Sequence, residues 1–176
     1  MKSTCPGCGL VLPPQPEAPR HPYIGASAEC WALYGELLAR EFQHPAYSRV
    51  HQLSVDTYAV QHPGAPERRS IQSVGLHLMT LCLIVEDGVD PLVGPALHKR
   101  LVGRPAFRWL EPPRPNGRLT AADALRSRSP EEHAKAVRAW GEDVWEAWVP
   151  HHQTVRGWIA ESLSRFPKGA PAKVSG

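Results

Sequence analysis

Cys5-Pro6-Gly7-Cys8-Gly9 places two thiols three residues apart around a turn, and no second Cys-x-x-Cys pair occurs in the chain. Pro6 fixes φ before the bend, while Gly7 and Gly9 permit conformations that a side chain would block. Such a turn can aim both sulfurs at one metal ion and leave backbone N–H groups pointing at the thiolates. A tetrahedral zinc site takes four ligands, so the remaining two must come from elsewhere. A thioredoxin-type redox pair fits less well. That chemistry sets the motif at a helix start after a strand, where the helix dipole lowers the thiol pKa. Here Pro6 and Gly7 sit inside the motif and Gly9 follows it.

Helix geometry restricts the other ligands. His51 and His62 fall on one helix face but eleven residues apart, ~16 Å along the axis. Both cannot reach one ion at Zn–N distances of ~2 Å. With short loops between the first three helices, Cys30 and His62 share the layer nearest the cysteine turn. His51 and His77 share a second layer inside the bundle. The expected zinc ligands are Cys5, Cys8, Cys30 and His62. Two rival sets are Cys5, Cys8, His21 and Cys30, and Cys5, Cys8, His51 and His77. Cys30 also reads as a small core residue, His62 as a histidine favoured by a helix C-terminus, and Cys82 as core.

His51 and His77 offer a second possibility. Two histidines on facing helices plus a carboxylate suit a catalytic metal. Asp56, Glu41 and Glu86 enter this arrangement only with packing that departs from the helical wheel, and Glu36 falls on the solvent side. Candidate catalytic residues are therefore His77, His51 and Asp56. The competing reading is a buried histidine pair hydrogen-bonded to Tyr47, Tyr58 and Thr80. Trp140, Trp145, Trp148 and Trp158, with His151 and His152, are a core face at helical spacing or an aromatic-lined pocket near Pro150.

The elements that must position these groups are helical. Residues 1–26 form a Pro-rich, non-helical arm. Ser27 is an N-cap for a helix over 28–42, with Trp31, Tyr34, Leu37, Leu38 and Phe42 inward and Glu29, Glu36 and Arg40 outward. A second helix runs from Pro45 to His62, ended by Pro63-Gly64, with Arg49, Gln52 and Asp56 on its polar side. The third, 67–87, is apolar nearly all round, except for a line of Arg69, Ser70, Ser73, His77 and Thr80 that should face partners. A shorter helix covers 91–102. Thr120 with Asp123, and Ser129-Pro130 with Glu132, are helix starts. The last stretch reaches Phe166 and must be split by Pro150.

The 176 residues suffice for one domain with a real core. The expected layout is an arm over 1–26, a bundle over 27–166 and a flexible tail over 167–176. Four cysteines make no disulfide scaffold. The start of the chain lacks a signal-peptide pattern, so a cytoplasmic setting is expected. No apolar run reaches the ~20 residues of a membrane span. A net charge of +3 without basic–aromatic clusters argues against nucleic acid. A protein partner or a homo-oligomer stays open.

Cys5-Pro-Gly-Cys-Gly, the stretch from Tyr23 to Glu36, Val55-Asp-Thr-Tyr-Ala-Val-Gln-His-Pro-Gly64, Ser70-Ile-Gln-Ser-Val-Gly-Leu-His-Leu and Val144-Trp-Glu-Ala-Trp-Val-Pro-His-His resemble an uncharacterised bacterial family, a domain of unknown function. The resemblance spans most of the chain and carries no established activity. It draws attention to Cys5, Cys8, Cys30, Asp56, Tyr58, Gln61, His62 and His77.

Together these observations predict an all-α bundle of about five helices with an N-terminal zinc knuckle. Three functions follow from it. The Zn2+ is structural; or the chain is a metal-dependent hydrolase or transferase with His77 or Asp56 as proton acceptor; or the arm and the Phe107–Trp109 loop dock a partner.

Overall fold

The computed structural model describes residues 2–101 and 105–164. The expected tail, Phe166 and Val102 lie outside them. Among the described residues the regular elements are helices apart from one small antiparallel ladder. Strand β1 (Ser3–Thr4) pairs with β2 (Val11–Leu12), with Ser3 opposite Leu12 and Thr4 opposite Val11. Between them Cys5 N–H donates to Leu10 C=O (2.8 Å) and Gly9 N–H to Cys5 C=O (2.9 Å). Gly9 takes φ +75°, in the left-handed region that glycine tolerates. The expected turn is thus the tip of a hairpin, because residues 3–4 pair with residues 11–12.

Five long helices carry the body: α1 (Ala28–Gln43), α3 (His51–Gln61), α4 (Arg68–Val85), α7 (Pro130–Ala147) and α8 (His152–Ser164). Short helices α2 (Pro45–Ser48), α5 (Gly94–Leu101) and α6 (Ala121–Leu125) bridge them. Ser27 caps α1 by accepting from Cys30 N–H, and Ser129 caps α7 by accepting from Glu132 N–H (3.2 Å each). Asp123 accepts from the backbone N–H of Thr120 at the start of α6. Gly88, at φ +67°, turns the chain after α4. A 3-10 turn at Val149–His151, around Pro150, separates α7 from α8. No described helix is long and apolar enough to cross a membrane.

Helix α3 packs against α4, α7 and α5, and nine of its eleven residues are buried. This corrects the polar face drawn through Gln52 and Asp56. The Pro91 turn and α5 cover that face, and Asp56 is 0% exposed. The expected continuous helix from Pro45 to His62 also breaks, at Arg49–Val50, although no Pro or Gly stands there. The break lets His51 and Ser54 both reach Glu41 on α1. Two further corrections concern α1. Phe42 is exposed and lies beside the His51 ring. Glu29 is buried beneath the arm, where Gln15 N–H donates to it (3.2 Å).

The C-terminal tryptophans are core, and their N–H groups tie distant segments together. Trp140 donates to Gln61 Oε1 (3.0 Å) and Trp148 to Asn116 Oδ1 (2.8 Å). Asn116 in turn donates to the carbonyls of Val60 and Gln61, both at 3.0 Å. These carbonyls at the end of α3 have no partner within the helix, and the Asn116 amide supplies one. The same amide pins the 105–120 connection onto the bundle. Phe107 packs edge-on against Trp158 and lies over Gly75. Both Phe107 and Trp109 are partly buried, so they do not form the large exposed apolar patch expected of a docking loop.

Candidate metal centres

Three segments meet at the cysteine hairpin. The hairpin brings Cys5 and Cys8, the first turn of α1 brings Cys30, and the C-terminal end of α3 brings His62. One ligand atom from each lies within 4.8 Å of all the others. Cys8 Sγ is 3.8 Å from Cys30 Sγ, and Cys30 Sγ is 3.4 Å from His62 Nε2. Cys5, Cys30 and His62 are each 1% exposed. Backbone pairing holds the parts together: Gly25 N–H donates to His62 C=O (2.9 Å), and Ile24 bridges to Pro63.

The surroundings orient the ligands. His62 Nδ1 lies 2.8 Å from the Tyr58 carbonyl, so the nitrogen facing that oxygen is N–H and Nε2 is the one turned toward the sulfurs, available to an ion that displaces its proton. The Tyr58 ring stacks between Tyr34 (3.7 Å) and His62 (4.0 Å), and its hydroxyl donates to Cys30 Sγ (3.6 Å). Hydrogen bonds from the Cys30 and Cys8 thiols hold Cys5 far below the usual thiol range. Cys5 and Cys8, together with burial, push Cys30 the other way. Burial works against a charged His62, yet the Cys5 and Cys8 sulfurs outweigh it and carry the group to about 9. A bound ion would displace the proton from His62 Nε2 and deprotonate all three thiols.

His21 stands apart from this cluster: its Nδ1 accepts from the N–H groups of Tyr23 and Ile24. Cys82 is buried in α4 and donates to Glu86 (3.6 Å). His51 and His77 bond to different carboxylates. Glu41 accepts from His51 Nδ1 (2.8 Å), His133 Nε2 (2.9 Å) and Ser54 Oγ (2.6 Å). Asp56 Oδ1 lies 2.7 Å from His77 Nδ1, 3.0 Å from His98 Nε2 and 2.9 Å from Gln52 Nε2. Asp56, His77 and His98 form the second cluster of metal-ligand type among the described residues. Sequence reasoning missed His98 and His133. Neither belongs to a spacing motif, and only the packing of α5 and α7 on α3 brings them in.

A helical bundle closed at one end by a Cys3His cluster of metal-ligand type defines the class. Within that class, the chain belongs to a family of unknown function, DUF5946, whose model matches residues 3–149. That span includes the hairpin, all four clustered residues and the Asp56–His77–His98 group. No curated protein and no solved structure matches the chain.

Proposed function

We propose that Cys5, Cys8, Cys30 and His62 bind one Zn2+ and that the ion is structural, clamping the N-terminal arm onto the bundle. The observation that carries this reading is the convergence of four ligand atoms from three separate segments within 4.8 Å. Three sulfurs and one imidazole are the donors of closed structural zinc sites, whereas carboxylate and water suit harder ions. Four protein ligands leave no coordination position for a substrate. A hydrolase or transferase reaction would therefore need a metal elsewhere in the fold. The binding free energy goes into holding residues 3–30 against α3, since the hairpin alone buries little surface. The reading implies a reducing compartment such as the cytoplasm, where thiolates persist.

Elemental analysis of the purified chain tests it. Wild type and His77→Ala should both hold one zinc per chain that survives dialysis against a weak chelator, and Cys5→Ser should lose it. Zinc retained by Cys5→Ser, or lost from His77→Ala alone, would move the ion away from the hairpin.

A further inference from the structure

We infer that Asp56, His77 and His98 form a second metal site, distinct from the thiolate cluster, which takes a divalent transition-metal ion and leaves coordination positions open to solvent. The donor set is two imidazoles and one carboxylate, the combination that binds such ions without filling their coordination sphere. At metal–ligand bonds of ~2.1 Å, two donors at right angles stand ~3 Å apart. Asp56 Oδ1 lies 2.7 Å from His77 Nδ1 and 3.0 Å from His98 Nε2, so little rearrangement is needed.

The hydrogen bonding around Asp56 is unbalanced. Its Oδ1 faces three nitrogens while its buried Oδ2 has no partner. A buried carboxylate oxygen without a donor costs ~1–3 kcal/mol or more. The other two-histidine carboxylate of this protein shows the contrast. Both oxygens of Glu41 are bonded, and its partner His133 is fully buried. That group is complete as it stands. The Asp56 group lacks a partner for one oxygen, and its histidines reach the surface, with side chains 16% and 21% exposed. His77 lies on the wall of an open groove of about 960 Å³, together with Arg69, Ser73 and Phe107. Gln52 adds a neighbour whose amide oxygen could take the place of its nitrogen. Its side chain lies directly over Gly94, where a β-carbon would collide with it.

Co2+ titration of the full chain, with zinc already bound at the cysteines, tests the site. One equivalent should bind with weak visible bands and no thiolate charge-transfer band, a signature that separates this site from Co2+ entering the Cys3His cluster. His98→Ala and Asp56→Asn should each weaken that binding at least tenfold while far-UV dichroism and zinc content stay at wild-type values. His98→Ala is decisive, because its position on short α5 is partly exposed and tolerates truncation. The inference is overturned if no saturable Co2+ binding occurs outside the thiolate site, or if a folded His98→Ala binds Co2+ as wild type does.

Discussion

Gly7 lies against the ring of His62: a β-carbon added at Gly7 would stand 2.5 Å from His62 Cδ2 and 2.8 Å from the Gln61 carbonyl oxygen. The hairpin can approach the end of α3 this closely only because residue 7 has no side chain. Neither contact can yield cheaply. The His62 ring is held by its bond to the Tyr58 carbonyl and by stacking on Tyr58, and the Gln61 carbonyl accepts from Asn116.

Gly7→Ala should therefore push the hairpin off His62 and loosen the metal site while leaving every proposed ligand in the sequence. Displacing an outer support of a metal ligand typically costs 10–100-fold in affinity. Competition with a chromophoric chelator should show a loss of about that size. Gly9→Ala makes a control of a different kind. Its added β-carbon meets nothing within 4 Å, but its φ of +75° strains the turn. If Gly7→Ala bound zinc as tightly as wild type, the close approach would not be what positions His62.

The four cysteines should separate cleanly under alkylation. Cys82 is buried, and burial together with the Glu86 carboxylate pushes its thiol up to about 12. Thiolate is the reactive form, so Cys82 should stay unmodified in the folded protein. Cys5, Cys8 and Cys30 should be protected while zinc is bound and react once a chelator removes it and the released arm uncovers them. Mass spectrometry of iodoacetamide-treated protein should count no fast adducts before chelation and three after. Rapid modification of Cys82, or of the other three in the zinc-loaded protein, would contradict this arrangement.

The cysteine site was legible in the sequence because its information is local. The turn residues of Cys5–Gly9 and the ends of two helices at Cys30 and His62 are each marked by caps and breakers. Helix periodicity then fixes which of them can share a layer. The Asp56 and Glu41 groups were not legible, for a physical reason. A helical wheel assumes that polar positions seek water, and α3 violates that assumption with Gln52, Ser54, Asp56, Thr57 and Gln61 all buried. Their partners His98, Asn116 and Trp140 lie 42 or more residues away along the chain, and His133 lies 92 residues from Glu41. The break at Arg49–Val50 was hidden for the same reason. The tertiary bonds of His51 and Ser54 to Glu41 outweigh the local preference for one continuous helix.

Acid should weaken the packing of α8 through Glu86. This carboxylate accepts from Arg156 Nη2 (2.6 Å), Arg156 Nε (2.9 Å) and Trp145 Nε1 (3.0 Å), and the Arg156 bonds hold it down at about 2. A carboxyl depressed on folding contributes stability that is fully present above its unfolded value near 4.5 and is lost as pH falls toward 2. Solvent screening limits this contribution to ~1 kcal/mol, because the pair is largely exposed. Urea unfolding at pH 6 and pH 3 should therefore show a smaller acid-induced loss for Glu86→Gln than for wild type, by about that amount. Equal losses would remove Glu86 from the acid response.

Glu41 should be the costliest carboxylate to delete. It is 0% exposed and is shared by His51, His133 and Ser54, which arrive from α3 and α7. Burial opposes its charge, but the bonds from His133, His51 and Ser54 outweigh burial and hold the carboxyl below its usual range. Truncation would leave Nε2 of the fully buried His133 without its partner and the Ser54 hydroxyl with only a long contact to Val50 C=O (3.5 Å). Losing one side of a buried, hydrogen-bonded charged group costs ~3–5 kcal/mol. Glu41→Ala should lose about that much in urea unfolding. Glu41→Gln keeps the shape and part of the bonding, since its amide oxygen still accepts on one side, and should lose roughly half as much. The ranking separates polar satisfaction from cavity formation, because Glu41→Leu fills the volume and satisfies no partner. A stability for Glu41→Leu equal to that of Glu41→Gln would mean that packing, and not the shared carboxylate, holds α1 to α3 and α7.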